Sequence, residues 1–263
     1  MRGLLIDLDG VLYKGEQPVP GAADVIAWLG ERAIPKLFVT NTSSRPRSAL
    51  LEKLDGMGIS VAESEILTPP VIASTWLREN VSGSAALFVA NATAKEFANS
   101  RVAKPGSSEA VAAVVVGDYG DRWSFAELNR AFRLLMADPK PALVALGMTR
   151  YWRAADGLRL DTAPFVIALS HAAGVEPVVL GKPARPFFEI AVSRLGMTAD
   201  QIVMIGDDIR SDIDGAQRCD IRGVLVKTGK FQPSDLDLEI RPYAVLDSIA
   251  ALPAWWDSEL AAS

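Results

Sequence analysis

The chain has 263 residues, 49% of them hydrophobic and 22% charged, and its 27 Lys and Arg against 32 Asp and Glu leave a net charge of −5. That apolar share is too high for a disordered chain, and the acidic balance gives no electrostatic footprint for nucleic acid or an acidic membrane surface. One cysteine, Cys219, and one histidine, His171, exclude an internal disulfide and a thiolate metal site and argue against triads built on either residue.

No apolar run reaches the roughly 18 residues of a membrane-spanning helix, and Asp7 and Asp9 interrupt any signal-peptide core. A soluble, cytoplasmic protein is expected. Along the chain, short aliphatic runs alternate with helical patterns, which predicts a parallel sheet covered by helices. Residues 3–6 read as a strand, 21–32 as a helix, 36–39 as a second strand and 46–57 as a second helix. In the middle, 87–90, 112–116 and 142–146 read as strands and 124–137 as the clearest helix. Late in the chain, Thr198 and Gln201 fit a capping box over at most one turn. A strand over 201–205, a helix over 209–218 and a strand over 223–226 follow. Trp255 and Trp256 are expected to dock the last helix on the core.

Loops in the middle stretch carry few of the Asp, Thr and Lys residues that punctuate both ends. The expected architecture is therefore α/β: a doubly wound, Rossmann-like parallel-sheet core from 1–79 and 177–263, with an α/β domain inserted at 80–176.

Four polar clusters each directly follow an apolar run. They are Asp7-Leu8-Asp9-Gly10, Thr40-Asn41-Thr42-Ser43, Gly181-Lys182-Pro183, and Gly206-Asp207-Asp208 with Asp212. Sites in open parallel sheets form outside the carboxyl ends of the strands, so all four are expected to converge on one edge. A locally extended chain would point Asp7 and Asp9 the same way. Together with Asp207 they gather carboxylates that need a neutralising cation, and an all-oxygen site suits Mg²⁺. Thr40 and Lys182 offer a hydroxyl and an ammonium for phosphate oxygens, and backbone N–H groups near Thr42 could complete the cradle. This set of groups points to phosphoryl transfer on a small phosphorylated substrate. Taken alone, an Asp-x-Asp pair is usually a solvated turn, and Asp207-Asp208 could simply cap a helix. It is their order at successive strand ends that favours chemistry. His171, on a helix-like stretch, reads as a structural or surface residue, and Cys219 as a packed thiol. Arg150-Tyr151-Trp152-Arg153 reads equally well as a substrate grip or a surface cover.

In order, type and spacing, the Asp7–Leu12 stretch, Thr40-Asn41, Lys182-Pro183 and Gly206-Asp207-Asp208 with Asp212 resemble the four motifs of the haloacid dehalogenase-like superfamily. The insertion resembles the C2-type cap of its subfamily IIA. Residues 128–135, 206–217 and 226–230 resemble the group of phospholysine phosphohistidine inorganic pyrophosphate phosphatases and hydrolase-domain-containing relatives. The resemblance implies that Asp7 is the nucleophile, forming an aspartyl phosphate, and that Asp9 is the general acid and base. It implies that Thr40, Asn41, Thr42 and Lys182 hold the phosphoryl group. Mg²⁺ would be bound by Asp7, the Asp9 carbonyl and Asp207, with Asp208 and Asp212 supporting. An acid at Asp9 favours a phosphatase over a dehalogenase, because halide leaves without a proton whereas an alkoxide needs one.

Phosphoamide or pyrophosphate cleavage is the alternative within enzymes. Outside them stand a phosphorylation-dependent signalling module and a non-catalytic phosphate-binding protein. Related caps form dimers, so a homodimer is compatible with the resemblance. Asp161-Thr162-Ala163-Pro164 sits where related caps carry a glycine-rich specificity loop, and this departure leaves the substrate open.

Overall fold

Residues 3–7, Gly-Leu-Leu-Ile-Asp, are buried at every position. Such a run has no polar face to offer solvent and suits only the centre of a sheet covered on both sides. In the computed structural model, which describes residues 1–154 and 156–262, it takes that place. The strand Gly3–Asp7 pairs in parallel with Lys36–Val39 on one side and Ile202–Gly206 on the other. The six-stranded sheet runs Ala244–Leu246, Arg222–Val226, Ile202–Gly206, Gly3–Asp7, Lys36–Val39, Ile66–Leu67, all parallel. The chain therefore starts in the middle, moves to one edge, and returns to build the other. The order reverses between Gly3–Asp7 and Ile202–Gly206, the kind of position where open α/β sheets hold their ligands.

Helix Ala22–Glu31 covers this sheet with Ala22, Val25, Ile26 and Leu29, a spacing that puts them on one stripe. The C-terminal helix Leu252–Ala262 brings Trp256, 3% exposed, into the same core, with Trp255 packed beside it. Thr198 opens one 3₁₀ turn, Ala199–Gln201, and its N–H donates to the Gln201 side chain at 3.4 Å. The helix expected over 209–218 begins instead as a π-helical segment, Ile209–Asp214. The Asp212 and Ile213 N–H groups both reach the Asp208 carbonyl, which widens the turn. A buried helix at Pro69–Asn80, absent from the sequence reading, starts on two prolines that suit the first helical turn.

The chain divides into two contact units. The first holds Met1–Thr40, Arg47–Leu67 and the chain from Lys182 on; the second holds Asn41–Pro46 and Thr68–Gly181. Residues 80–176 lie within the second unit.

That second unit has its own four-stranded parallel sheet, ordered Pro177–Val179, Ala142–Ala145, Ala113–Val116, Ala85–Phe88, and an antiparallel hairpin of Tyr151–Ala154 with Gly157–Leu160. Helix Phe125–Leu135 is capped by Ser124, whose Oγ accepts the Glu127 N–H at 3.2 Å. Helix Thr162–Ala173 starts on Asp161, which accepts the Thr162 N–H at 2.7 Å, and carries an exposed His171. Trp123 stacks on Phe165 at 4.7 Å and on Phe88 at 5.5 Å, which makes it core filler of this unit. Tyr151 and Trp152, on the hairpin, are about half exposed. Cys219 is a buried free thiol. Among the described residues no helix is long and apolar enough to cross a membrane.

Candidate active site

Asp7 is the last residue of the central strand and is 6% exposed. The strand stops there and the chain bends at Leu8, so strict alternation does not extend to Asp9, whose side chain is exposed. Across the switch point, Asp207 follows Ile202–Gly206 directly and is 1% exposed. Lys182, 7% exposed, places Nζ 2.5 Å from Asp7 Oδ1 and 2.7 Å from Asp212 Oδ1. Asp212 reaches inward from the π-helical segment and is itself 1% exposed.

One oxygen each from Asp7, Asp207 and Asp212 can lie within 4.8 Å of one another. Asp212 belongs to this buried set together with Asp7 and Asp207. Asp208 has a different job. Its carboxylate caps the segment that follows, accepting the Arg210 N–H at 3.1 Å and the Ser211 N–H at 2.9 Å, and it pairs with Lys230 Nζ at 3.2 Å. Thr40 is buried at the end of its strand, and its N–H donates to the Leu67 carbonyl at 3.1 Å. Asn41, exposed, and Thr42, half-buried, fall in the second unit.

The fit to a hard cation can be tested on Asp207. Its Oδ2 accepts the Lys230 N–H at 2.6 Å, whereas Oδ1 is buried and has no hydrogen-bond partner. A buried carboxylate oxygen left unpaired is expensive. Oxygen donors clustered at this separation suit Mg²⁺, so the residues present fit the ion.

The electrostatics agree. Burial pushes the Asp7 carboxyl up to about 7 against the pull of Lys182, with Asp212 and Asp207 pushing the same way as burial. Burial likewise lifts Asp207 to about 6, opposed by the Lys230 N–H and reinforced by Asp212. Burial acts to lower Lys182, yet Asp212 and Asp7 outweigh it and hold the ammonium charged, with its pKa raised. Lys230 is raised in the same manner by Asp208 and Asp207 against its own burial. Asp208 moves the other way: the Ser211 N–H and Lys230 overcome burial and lower it. Acids lifted at a strand end, beside a lysine that stays charged, make this cluster the candidate functional site.

Sequence reasoning gave no role to Lys230 or Thr228. The signal was available, since their loop follows the strand Arg222–Val226 and so emerges at the same sheet edge. Gly10, at φ 88°, occupies a backbone region that favours glycine, and a Cβ there would overlap Asp207 Oδ2.

Two family models match the chain. The haloacid dehalogenase-like hydrolase model covers residues 4–102 and a HAD-hydrolase-like model covers residues 179–252. The chain is 37% identical over 239 residues to human phospholysine phosphohistidine inorganic pyrophosphate phosphatase, covering 89% of this chain and 86% of that one. To the haloacid dehalogenase-like hydrolase domain-containing protein 2 of Bos taurus it is 36% identical over 249 residues, covering 94% of this chain and 93% of that protein. Among solved structures, the p-nitrophenyl phosphatase from Archaeoglobus fulgidus superposes with a TM-score of 0.86 at 27% identity, covering 97% of this chain and 98% of that one. Identity at this level over nearly the whole length, with both ends of the chain matched by family models, makes this protein a member of the haloacid dehalogenase-like hydrolase family.

Proposed function

We propose that this chain is a Mg²⁺-dependent phosphatase that hydrolyses small phosphorylated substrates through an aspartyl phosphate on Asp7. The observation that carries this reading is Asp7 itself. It is a buried carboxylate at the switch-point end of the central strand, held by Lys182 at 2.5 Å and sharing a cluster with Asp207.

Asp7 attacks phosphorus through a carboxylate oxygen, and Asp9 donates a proton to the leaving oxygen as the bond to phosphorus breaks. Asp9 then takes a proton from the water that hydrolyses the acyl phosphate, which returns both acids to their starting states. An exposed side chain suits that role, because it must meet both substrate and water. Lys182 and Thr40 hold the phosphoryl oxygens, and Asn41 and Thr42 extend that cradle. Asp7, the Asp9 carbonyl and Asp207 would hold Mg²⁺, with Asp212 and Asp208 in support. Bound Mg²⁺ supplies positive charge that favours ionised carboxylates and offsets repulsion between Asp7 and an anionic phosphoryl group. Residues 80–176 serve as the C2-type cap.

A second reading, cleavage of phosphoamide or pyrophosphate bonds, is supported by the name of the human relative at 37% identity. The test is phosphate release, with and without Mg²⁺, from sugar phosphates, nucleotides, pyridoxal phosphate, p-nitrophenyl phosphate, pyrophosphate, phospholysine and phosphohistidine. Mg²⁺-dependent turnover is expected, and the best substrate chooses between ester and phosphoamide chemistry. Turnover that ignores Mg²⁺, or that survives in Asp7→Asn, overturns the proposal.

A further inference from the structure

Asp207 is gripped on one oxygen only, and two loops make the grip. The Lys230 N–H donates to Oδ2 at 2.6 Å. A Cβ on Gly10 would overlap that same oxygen, and so would a Cβ on Gly229, which sits at φ 62°. A Cβ on Gly229 would also lie 2.5 Å from the Gly10 Cα. The two loops are tied directly as well, because the Thr228 hydroxyl donates to the Gly10 carbonyl. From the far side, Lys230 Nζ pairs with Asp208 at 3.2 Å, and Asp208 caps the segment that delivers Asp212.

We propose that the turn Thr228-Gly229-Lys230 is a positioning element for the metal site. It locks Asp207 through Oδ2, so that Oδ1 stays buried without a protein partner and available to the ion, and it fixes the Asp9-Gly10 loop beside it. The inference rests on the Mg²⁺ reading above. A carboxylate with both oxygens hydrogen-bonded would be a finished structural element, whereas this one has Oδ2 enclosed by glycine backbone and Oδ1 buried without a partner. The absence of side chains at residues 10 and 229 lets two backbones close on Oδ2. The Thr228 hydroxyl keeps them closed.

The experiment is Mg²⁺ titration by calorimetry on the full chain. The variants are Thr228→Val, which is nearly isosteric, Gly229→Ala, and Lys230→Ala, which keeps the N–H. Circular dichroism and the Tm of the metal-free protein report on folding. Thr228→Val and Gly229→Ala are expected to weaken Mg²⁺ binding by about 10–100-fold, the usual effect of removing a group that orients a ligand. Lys230→Ala should weaken it far less. In turnover assays the Mg²⁺ concentration for half-maximal rate should rise while kcat recovers at saturating Mg²⁺, a rescue that a general structural lesion would not give.

Folded Thr228→Val that binds Mg²⁺ like the wild type overturns the proposal. So does Lys230→Ala losing as much affinity as Gly229→Ala, because the side chain would then be the operative group. If Gly229→Ala fails to fold, Thr228→Val alone decides. Wild-type protein that takes up no Mg²⁺ would instead sink the metal reading beneath the inference, and is told apart by that control.

Discussion

Both units of the chain are built on parallel sheets, yet they bury very different polar groups. Among the described residues, the first unit buries Asp7, Lys182, Asp207, Asp212 and Thr40. The second buries only hydroxyls: Thr68, Ser74, Thr93 and Thr162. A buried hydroxyl needs one hydrogen bond, and Thr93 finds its own on the Ser43 carbonyl at 2.9 Å. A buried charge is far harder to keep, and folding stability alone gives no reason to gather carboxylates around one lysine. The contrast separates a sheet whose interior is packing from a sheet whose carboxyl edge gathers buried charges, and the proposed function gives that cost a reason.

The sharpest way to break this comparison is Asp7→Asn. Phosphatase activity is expected to fall by at least about 10⁴-fold, as when a nucleophile is removed, with circular dichroism unchanged. Activity near wild type would return Asp7 to the structural class. Lys182→Met comes next. Losing the buried ammonium should lower kcat by about 10²–10³-fold and, by leaving acids uncompensated, lower stability by about 3–5 kcal/mol. Denaturant melts that match wild type would show the ion pairs contribute little.

Phe88→Ala probes the other side of the comparison. It empties a fully buried ring position stacked on Trp123, at an expected loss of about 3–5 kcal/mol. That loss should be the same with and without Mg²⁺, and a Mg²⁺-dependent loss would blur the distinction between the units.

The smallest effect expected is a gain. In metal-free protein Asp207 has its pKa raised from 3.8 to about 6. The folded state then keeps a proton that the unfolded state has released, so stability is lost as pH rises from 3.8 through about 6. Asp207→Asn should therefore raise the Tm of metal-free protein at neutral pH, by on the order of 2–3 kcal/mol in stability. The gain should shrink as the pH falls from about 6 to 3.8 and be gone below that. A gain that grows on acidification would contradict the sign.

Much of the frame was legible because buried parallel strands leave an unbroken apolar signature. The strand expected at 36–39 is the observed Lys36–Val39, and 3–6 and 201–205 each miss by one residue. Edge strands were not legible: Ile66–Leu67 and Ala244–Leu246 are too short to show a period, and their pairing is decided by neighbours distant in sequence. Pro69–Asn80 opens on paired prolines, which break a helical pattern unless they fall in the first turn.

In the site, Asp7, Lys182, Asp207 and Asp212 stood out because each follows an apolar run or shares its motif. The division of labour between adjacent acids did not. Whether Asp208 turns inward or caps its own helix depends on the widened turn at Ile209–Asp214, which no residue spacing announces. Lys230 and Thr228, within the stretch 226–230 that resembles relatives, had no role assigned because their contacts to Asp207 and Gly10 cross more than twenty and more than two hundred residues of chain.

The position of the first strand has a consequence for how the molecule comes into being. Gly3 pairs with Ile202, about 200 residues later, so the central strand lacks one neighbour until Ile202–Gly206 has left the ribosome. The second unit is nearly continuous in sequence and needs no such wait. Contacts of such long range slow folding, and chains of this size assemble domain by domain during synthesis. Asp7 is made 175 residues ahead of Lys182, and Asp207 and Asp212 follow later still. A nascent or truncated chain thus carries Asp7 without the groups that surround it, and the acid cluster forms only once Asp212 has been made.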